Sequence, residues 1–208
     1  MSTDTPHRQL KERLRQERAE LILEIAEVMF IDKGYHDTSM DEIAARAGVA
    51  KGTLYQHFPG KEDLVFALFE RHLERFERMI EQIAASTETA SAKLERILRY
   101  AYLEQHGMRT QSLQFLYRNR DMRNILIENK GRIRDRLGRP TGQIRAMLEE
   151  GKIDGSFNPE LSTGLMLISF MSLLTFSSWE QFISQERFSP EELIDQVGRI
   201  FFEGIKRK

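Results

Sequence analysis

GVAKGTLYQHFPGKEDL, residues 48–64, is the stretch that decides the fold of this 208-residue chain. Gly48 can end one helix with a positive φ, and a new helix of about two turns can start three residues later. Pro59-Gly60 then breaks the chain before a charged helix begins at Lys61. The stretch therefore predicts a short helix held between two turns. Its polar side chains are Lys51, Thr53, Tyr55, Gln56 and His57.

Another short helix is predicted immediately before this stretch. Ser39-Met-Asp-Glu42 has the pattern of a capping box, in which Ser39 and Glu42 each accept a hydrogen bond from the other's backbone N–H. The box opens a helix over 40–47. Upstream, apolar residues at three- and four-residue steps predict a first helix that ends near Gly34. That apolar set is Leu21, Ile22, Ile25, Ala26, Met29 and Phe30.

The remainder of the chain also has helical periodicity, and no stretch alternates as a half-buried strand would. We expect helices over about 61–84, 90–106 and 122–150, with Pro140 kinking or splitting the third. Asn158-Pro159 and Ser189-Pro190 each place a cap residue before a first-turn proline, and so predict helices over about 159–183 and 190–206. The fold class is therefore all-α.

The segment 164–179, GLMLISFMSLLTFSSW, is apolar on nearly every side. A helix of this kind is covered on every side, and in a chain of this size a partner subunit would cover one face. The segment is short for a membrane span and contains several hydroxyls, so no membrane partner is expected.

Composition excludes several classes of protein. The chain has no cysteine, which rules out disulfides, thiolate metal sites and thiol nucleophiles. The sequence contains no HExxH, P-loop or GxSxG, and no histidine has a glutamate three residues before it. We therefore expect no catalytic residue, no metal and no cofactor. The absence of a signal-like N-terminus favours the cytoplasm.

Charge is distributed unevenly in the first part of the chain. Net charge is −1, and residues 1–60 carry eight bases against ten acids. Between Pro6 and Arg18, however, five bases face two acids. Any DNA-binding surface must therefore be a local patch. The simplest interpretation of this N-terminal arm is a frayed, solvated tail.

Two short helices joined at Gly48 and supported by a preceding helix form the pattern of a helix-turn-helix. Lys51 and Lys61 can neutralise phosphates, while Thr53 and Gln56 can contact base edges. Gly52 removes a side chain where the backbone would approach the duplex. The DNA-contacting candidates, including the amides near the cap, are Thr38, Ser39, Ala50, Lys51, Gly52, Thr53, Tyr55, Gln56, His57 and Lys61.

Residues 21–66 strongly resemble the DNA-binding domain of the TetR family of bacterial transcriptional regulators. The residues that match are ILEIAEVMFIDKGYHDTSMDEIAARAGVAKGTLYQHFPGKEDL. The resemblance implies DNA contacts at Thr38, Lys51, Gly52, Thr53, Tyr55, His57 and Lys61. Gln56 occupies a position that varies in the family, so it is a candidate for operator specificity.

The resemblance also implies the domain organisation and the mechanism. An N-terminal arm and helix-turn-helix domain, 1–60, would precede a helical ligand-binding and dimerisation domain, 61–208, with 61–84 as the connecting helix. A homodimer formed by the helices at about 159–183 and 190–206 would repress transcription from a near-palindromic operator. A small apolar or amphipathic effector would release the DNA. Candidate effector-binding residues are Tyr100, Leu103, Phe115, Met166 and Phe170.

Three alternatives stay open from the sequence. The chain could be a DNA-binding regulator or architectural protein without a small-molecule ligand. It could be an all-α enzyme, although no motif supports one. A membrane-surface protein would use the basic arm, but that arm has no aromatic-rich apolar face.

Overall fold

The computed structural model describes residues 5–103, 127–174 and 189–207. Eight helices occupy these ranges, and no strand occurs within them beyond an isolated bridge between Phe157 and Lys206. The helices are α1 Thr5–Lys33, α2 Met40–Arg46, α3 Lys51–His57, α4 Lys61–Ala84, α5 Ala90–Leu103, α6 Lys130–Ile153, α7 Thr163–Leu174 and α8 Pro190–Ile205. The predicted all-α class is confirmed.

The chain divides into two compact units, Met1–Glu70 and Arg71–Lys208. In the first unit α2 packs against both α1 and α3. Its buried apolar residues include Ile22, Ala26, Met29, Phe30, Ile43, Ala44, Leu54, Phe58, Leu64 and Val65. Glycines with positive φ stand at two of its turns, Gly34 at 88° and Gly48 at 65°. Both are places where an L side chain would be strained.

The second unit has its own core. There α5 packs against α6, α7 and α8, and α7 also packs against α6 and α8. The buried cluster draws on the end of α4 and on all four of these helices. At the end of α6, a Cβ on Gly151 would lie 2.2 Å from the Phe157 ring, so only glycine fits there. Phe157 and Asn158 also lie beside the chain end, where Asn158 N–H donates to the Ile205 carbonyl at 2.8 Å.

Two local predictions are wrong, and one of the two outcomes expected at Pro140 is excluded. The N-terminal arm is not frayed, because α1 starts at Thr5 and its residues 7–18 are helical and exposed. Asn158 does not cap a helix at Pro159: its side-chain oxygen accepts from Glu160 N–H in a turn, and α7 begins only at Thr163. The chain is not split at Pro140, since α6 continues through it as one helix.

Candidate nucleic-acid interface

The start of α2 is fixed by the predicted capping box. The Ser39 hydroxyl accepts from Glu42 N–H at 3.2 Å, and the Glu42 carboxylate accepts from Ser39 N–H at 3.0 Å. Lys33, at the end of α1, donates to the same carboxylate at 2.8 Å. This Lys33 bond is the largest cause that lowers the pKa of Glu42 to about 2, followed by the bonds from Ser39. The box therefore also joins α2 to α1.

The turn between α2 and α3 is closed by backbone hydrogen bonds. Gly48 N–H donates to the Ala45 carbonyl at 3.2 Å, and Val49 N–H donates to the Ala44 carbonyl at 3.0 Å. Beyond the turn, Leu54 is fully buried and anchors one side of α3. The exposed side of this helix can face another molecule.

The accessible face of α3 contains most of the predicted contact residues. Lys51, Gly52, Tyr55 and Gln56 are exposed, together with Ala50 immediately before the helix; Thr53 and His57 are half-buried. A Cβ built on Gly52 meets nothing within 4 Å, and its φ is not positive. Neither internal packing nor backbone strain therefore requires glycine at this position. A close approach by an external partner would require it.

Lys51 is paired within the domain. Its ammonium donates to the Asp41 carboxylate of α2 at 2.8 Å, and both side chains are well exposed. The hydrogen bond to Asp41 is the main cause that raises the pKa of Lys51. A phosphate would have to compete with Asp41 for this cation, so the Asp41–Lys51 pair weakens the predicted contact.

Lys61, predicted to bind phosphate, has different partners in this structure. Its ammonium donates to the carbonyls of Tyr35 at 2.6 Å and Thr38 at 2.8 Å, and more weakly to that of His36 at 3.4 Å. It also lies 4.3 Å from the centre of the Tyr35 ring. The side chain thus binds the α1–α2 turn. The phosphate contact predicted for Lys61 would require these carbonyls to be released.

Thr38 is likewise turned inward. Its side chain is buried, and the hydroxyl lies 2.8 Å from the Gly34 carbonyl and 3.2 Å from that of Met29. Ser39 is exposed, but its hydroxyl serves the capping box. The two residues position the start of α2. While the two hydroxyls keep these hydrogen bonds, only the backbone amides of Thr38 and Ser39 could make the predicted DNA contacts.

Two basic residues whose charges reach α3 were not among the predicted contact residues. Burial lowers the pKa of His57 first, and the charges of Arg15 and Arg18 on α1 lower it further. These arginines belong to the arm that was interpreted as a tail. Their spacing of three residues places them on one side of α1. This could have identified them in the sequence if the helix had been predicted to start before residue 15.

The predicted effector-binding residues lie in the second unit. Met166 and Phe170 are buried, and the Phe170 ring lies 5.4 Å from that of Phe201. Tyr100 is partly buried against the same cluster. The side chain of Leu103, and Phe115 altogether, lie outside the described residues. Three of the five candidates therefore adjoin one apolar core.

The described ranges hold neither a metal-binding cluster nor a helix suited to cross a membrane. Within them, no group of three His, Asp or Glu side chains could hold a metal ion. Nor does any helix there combine the length and apolar character that crossing a bilayer requires.

A helix-turn-helix with one exposed, polar face on its second helix is the arrangement typical of a DNA-binding domain. Residues 22–68 match the family described as bacterial regulatory proteins, tetR family. The match covers the helix-turn-helix and the start of α4, less than a quarter of the chain.

Similar proteins extend the match. The HTH-type transcriptional activator FasR of Mycolicibacterium smegmatis is 44% identical over 73 residues, 35% of this chain and 33% of FasR. The HTH-type transcriptional repressor KstR2 of the same species is 27% identical over 167 residues, 80% of this chain and 77% of KstR2. The chain thus spans only a third of the first of these relatives.

A solved structure shares the fold across both units. The transcriptional regulator FadR from Bacillus subtilis, in complex with stearoyl-CoA, superposes with a TM-score of 0.69 at 23% identity. The match covers 89% of this chain and 98% of FadR. At this identity the similarity establishes the fold.

Proposed function

We propose that the chain binds a near-palindromic DNA operator as a homodimer and that a small amphipathic ligand releases it. The exposed face of α3 carries the proposal. Leu54 accounts for the buried side of this helix, while Gly52 leaves open space that no internal contact uses. A helix with this face fits the major groove, where Gln56 and Thr53 would contact base edges.

The dimer is supported by apolar side chains exposed in the single subunit. On α7, Leu165 is 66% exposed and Ile168 is 64% exposed; on α8, Ile200 is 76% exposed. These two helices pack against each other, and they are the ones predicted to form the interface. A second subunit that covers these side chains would remove their apolar surface from water. The described part of the first interface helix is 163–174, shorter than the predicted 159–183.

The ligand class is supported by the second unit and by its structural neighbour. An amphipathic molecule with a long acyl chain would suit a site built around Met166, Phe170 and Tyr100, which adjoin one apolar core. FadR of Bacillus subtilis, which shares the fold, was solved with stearoyl-CoA. We therefore place an acyl-chain ligand first among the candidates. Assignment of individual pocket residues remains a prediction.

The direction of regulation stays a prediction as well. We propose repression, which requires the operator to overlap the promoter. The relatives include both an activator and a repressor. The relatives are regulators, which supports a cytoplasmic role without catalysis.

In-vitro selection of random duplex DNA tests the function directly. We expect a palindrome with half-sites about one helical turn or a multiple apart. Gln56→Ala should weaken binding to the selected duplex more than binding to random DNA, because a base contact is lost. Lys51→Ala should weaken both equally. Failure to enrich any sequence at low or moderate salt would contradict the proposal.

The ligand is tested on the same selected duplex. Acyl-CoAs of increasing chain length should release the bound protein, with longer chains acting at lower concentration because more apolar surface is buried. Free coenzyme A is the control and should release nothing. If no acyl-CoA alters DNA affinity, the chain acts without this class of ligand, which is the remaining alternative.

A further inference from the structure

Four basic side chains lie on one face of the N-terminal half of α1. Arg8, Lys11, Arg15 and Arg18 follow one another at steps of three, four and three residues, and all are exposed. On a helix this spacing places them within an arc of about 80°. We call this set the basic face. The nearest acid around the helix is Glu12, at its border.

The opposite side of the same helix segment has a different character. Arg13 lies there and is paired with Glu17 at 2.8 Å. Glu20 and Glu24 follow on the same side. Positive charge is therefore concentrated on one face, whereas a helix end that merely meets solvent has no need for such separation.

The basic face continues the line along which α1 packs into its own domain. Ile22, Ala26 and Met29 follow Arg18 at steps of four, four and three residues, and all three are buried. Along this side of α1 the residues are basic up to Arg18, where the helix is exposed, and apolar from Ile22 onward, where it is buried. The basic face is thus directed to the same side of α1 as the helix-turn-helix.

The C-terminal end of the basic face lies within electrostatic range of α3. The charges of Arg15 and Arg18 act on His57, the last residue of that helix. A surface of this sign, beside the recognition helix, is complementary to the phosphates that flank the bases in the groove. Residues 1–60 as a whole carry more acids than bases, so the positive charge of the basic face is confined to that face.

We propose that the basic face is a second DNA-binding surface, which binds backbone phosphates outside the bases contacted by α3. The proposal rests on the proposed function, since it requires α3 to be docked on DNA. From Arg8 to Arg18 the helix rises about 15 Å, at about 1.5 Å per residue. Duplex DNA presents a charge about every 1.7 Å along its axis, so several phosphates lie within reach.

The test measures how operator affinity depends on salt, using the selected palindrome with flanking sequence on both sides. The variants are Arg15→Gln with Arg18→Gln, and Arg8→Gln with Lys11→Gln. Arg13→Gln is the matched control, because it removes one base from the opposite face of the same helix. Far-UV circular dichroism checks that all variants keep the helix content of the wild type.

If the Arg15/Arg18 pair contributes two phosphate contacts, its loss lowers the slope of log affinity against log salt by about 1.8. A fourfold rise in salt then weakens the wild type about tenfold more than the variant. We expect a similar change for Arg8/Lys11, none for Arg13→Gln, and equal losses on operator and random DNA. Trimming the flanking sequence should weaken the wild type and Arg13→Gln more than either double variant, because each double variant has already lost two of the four bases.

Slopes for both double variants equal to that of Arg13→Gln would overturn the proposal while the operator binding of α3 stands. If the wild type binds no selected duplex, the proposed function is overturned. The proposed phosphate contacts of the basic face are then overturned as well. Loss of binding to anionic vesicles by the double variants, with unchanged DNA affinity, would also overturn the proposal and assign the face to a lipid surface.

Discussion

Lys61→Met should destabilise the α1–α2 turn while leaving the salt dependence of DNA binding unchanged. The ammonium donates to two carbonyls at 2.6 and 2.8 Å and to a third at 3.4 Å, and it lies 4.3 Å from the Tyr35 ring centre. Methionine keeps most of the length and apolar contact of the stem but donates nothing. The carbonyls of Tyr35 and Thr38 would then have to accept hydrogen bonds from water instead.

The magnitude follows from these contacts. A hydrogen bond to a charged group contributes about 1.5–3 kcal/mol, and an exposed cation–π contact about 0.5–1 kcal/mol. Lys61 is partly exposed and the carbonyls can rehydrate, so the terms do not add in full. We expect a loss of about 2–3 kcal/mol in local stability. Amides at the start of α2 should then exchange roughly 30- to 150-fold faster, at about 1.4 kcal/mol per factor of ten.

Amide hydrogen exchange with mass spectrometric detection measures the effect, and Lys33→Met is the control. Lys33 makes an exposed salt bridge to Glu42 nearby, and such a bridge contributes about 1 kcal/mol or less. Equal exchange in the two variants would refute the reasoning. If Lys61→Met also lowered the salt slope by about 0.9, the side chain would be a phosphate contact after all.

Three further predictions concern the same domain. Gly52→Ala should raise the free energy of unfolding by up to about 1 kcal/mol, because alanine has the higher helix propensity. The same change should weaken operator binding on the order of tenfold, since the added Cβ meets nothing within the protein and would meet only DNA. Unchanged operator affinity in a gel shift would contradict a close approach of DNA to Gly52. Asp41→Asn should release Lys51 and steepen the salt dependence on random DNA; an unchanged slope would show that the pair does not compete. Because the folded pKa of Glu42 is depressed to about 2, its stabilisation should be lost as pH falls from about 4.5 to about 2, and Glu42→Gln should lack that part of the acid transition.

Much of the helix-turn-helix could be predicted because its signals are local. The capping box at Ser39, the turn at Gly48 and the helix Lys51–His57 each depend on residues within a few positions of one another. The carbonyl contacts of Lys61 could not be predicted. They join residues 23 to 26 positions apart, and only the packed domain brings them together.

The misplaced helix boundaries have physical causes too. Asn158 uses its side-chain oxygen in a tight turn with Glu160, which competes with capping a helix at the same place. The start of α1 was missed because its apolar periodicity begins only at Leu21. Residues 7–18 are mostly good helix formers with no glycine, and they continue the helix without any core to bury.

The close packing at the end of α6 has a practical consequence for protein engineering. Phe157 lies against Gly151, its neighbour Asn158 binds the Ile205 carbonyl, and Arg207 N–H lies 3.5 Å from the Ser156 carbonyl. Two segments about fifty residues apart are therefore joined by their backbones. An affinity tag or fluorescent fusion should be attached after Arg207 through a flexible linker. A truncation before Ile205 would leave the Phe157 segment without its backbone partner.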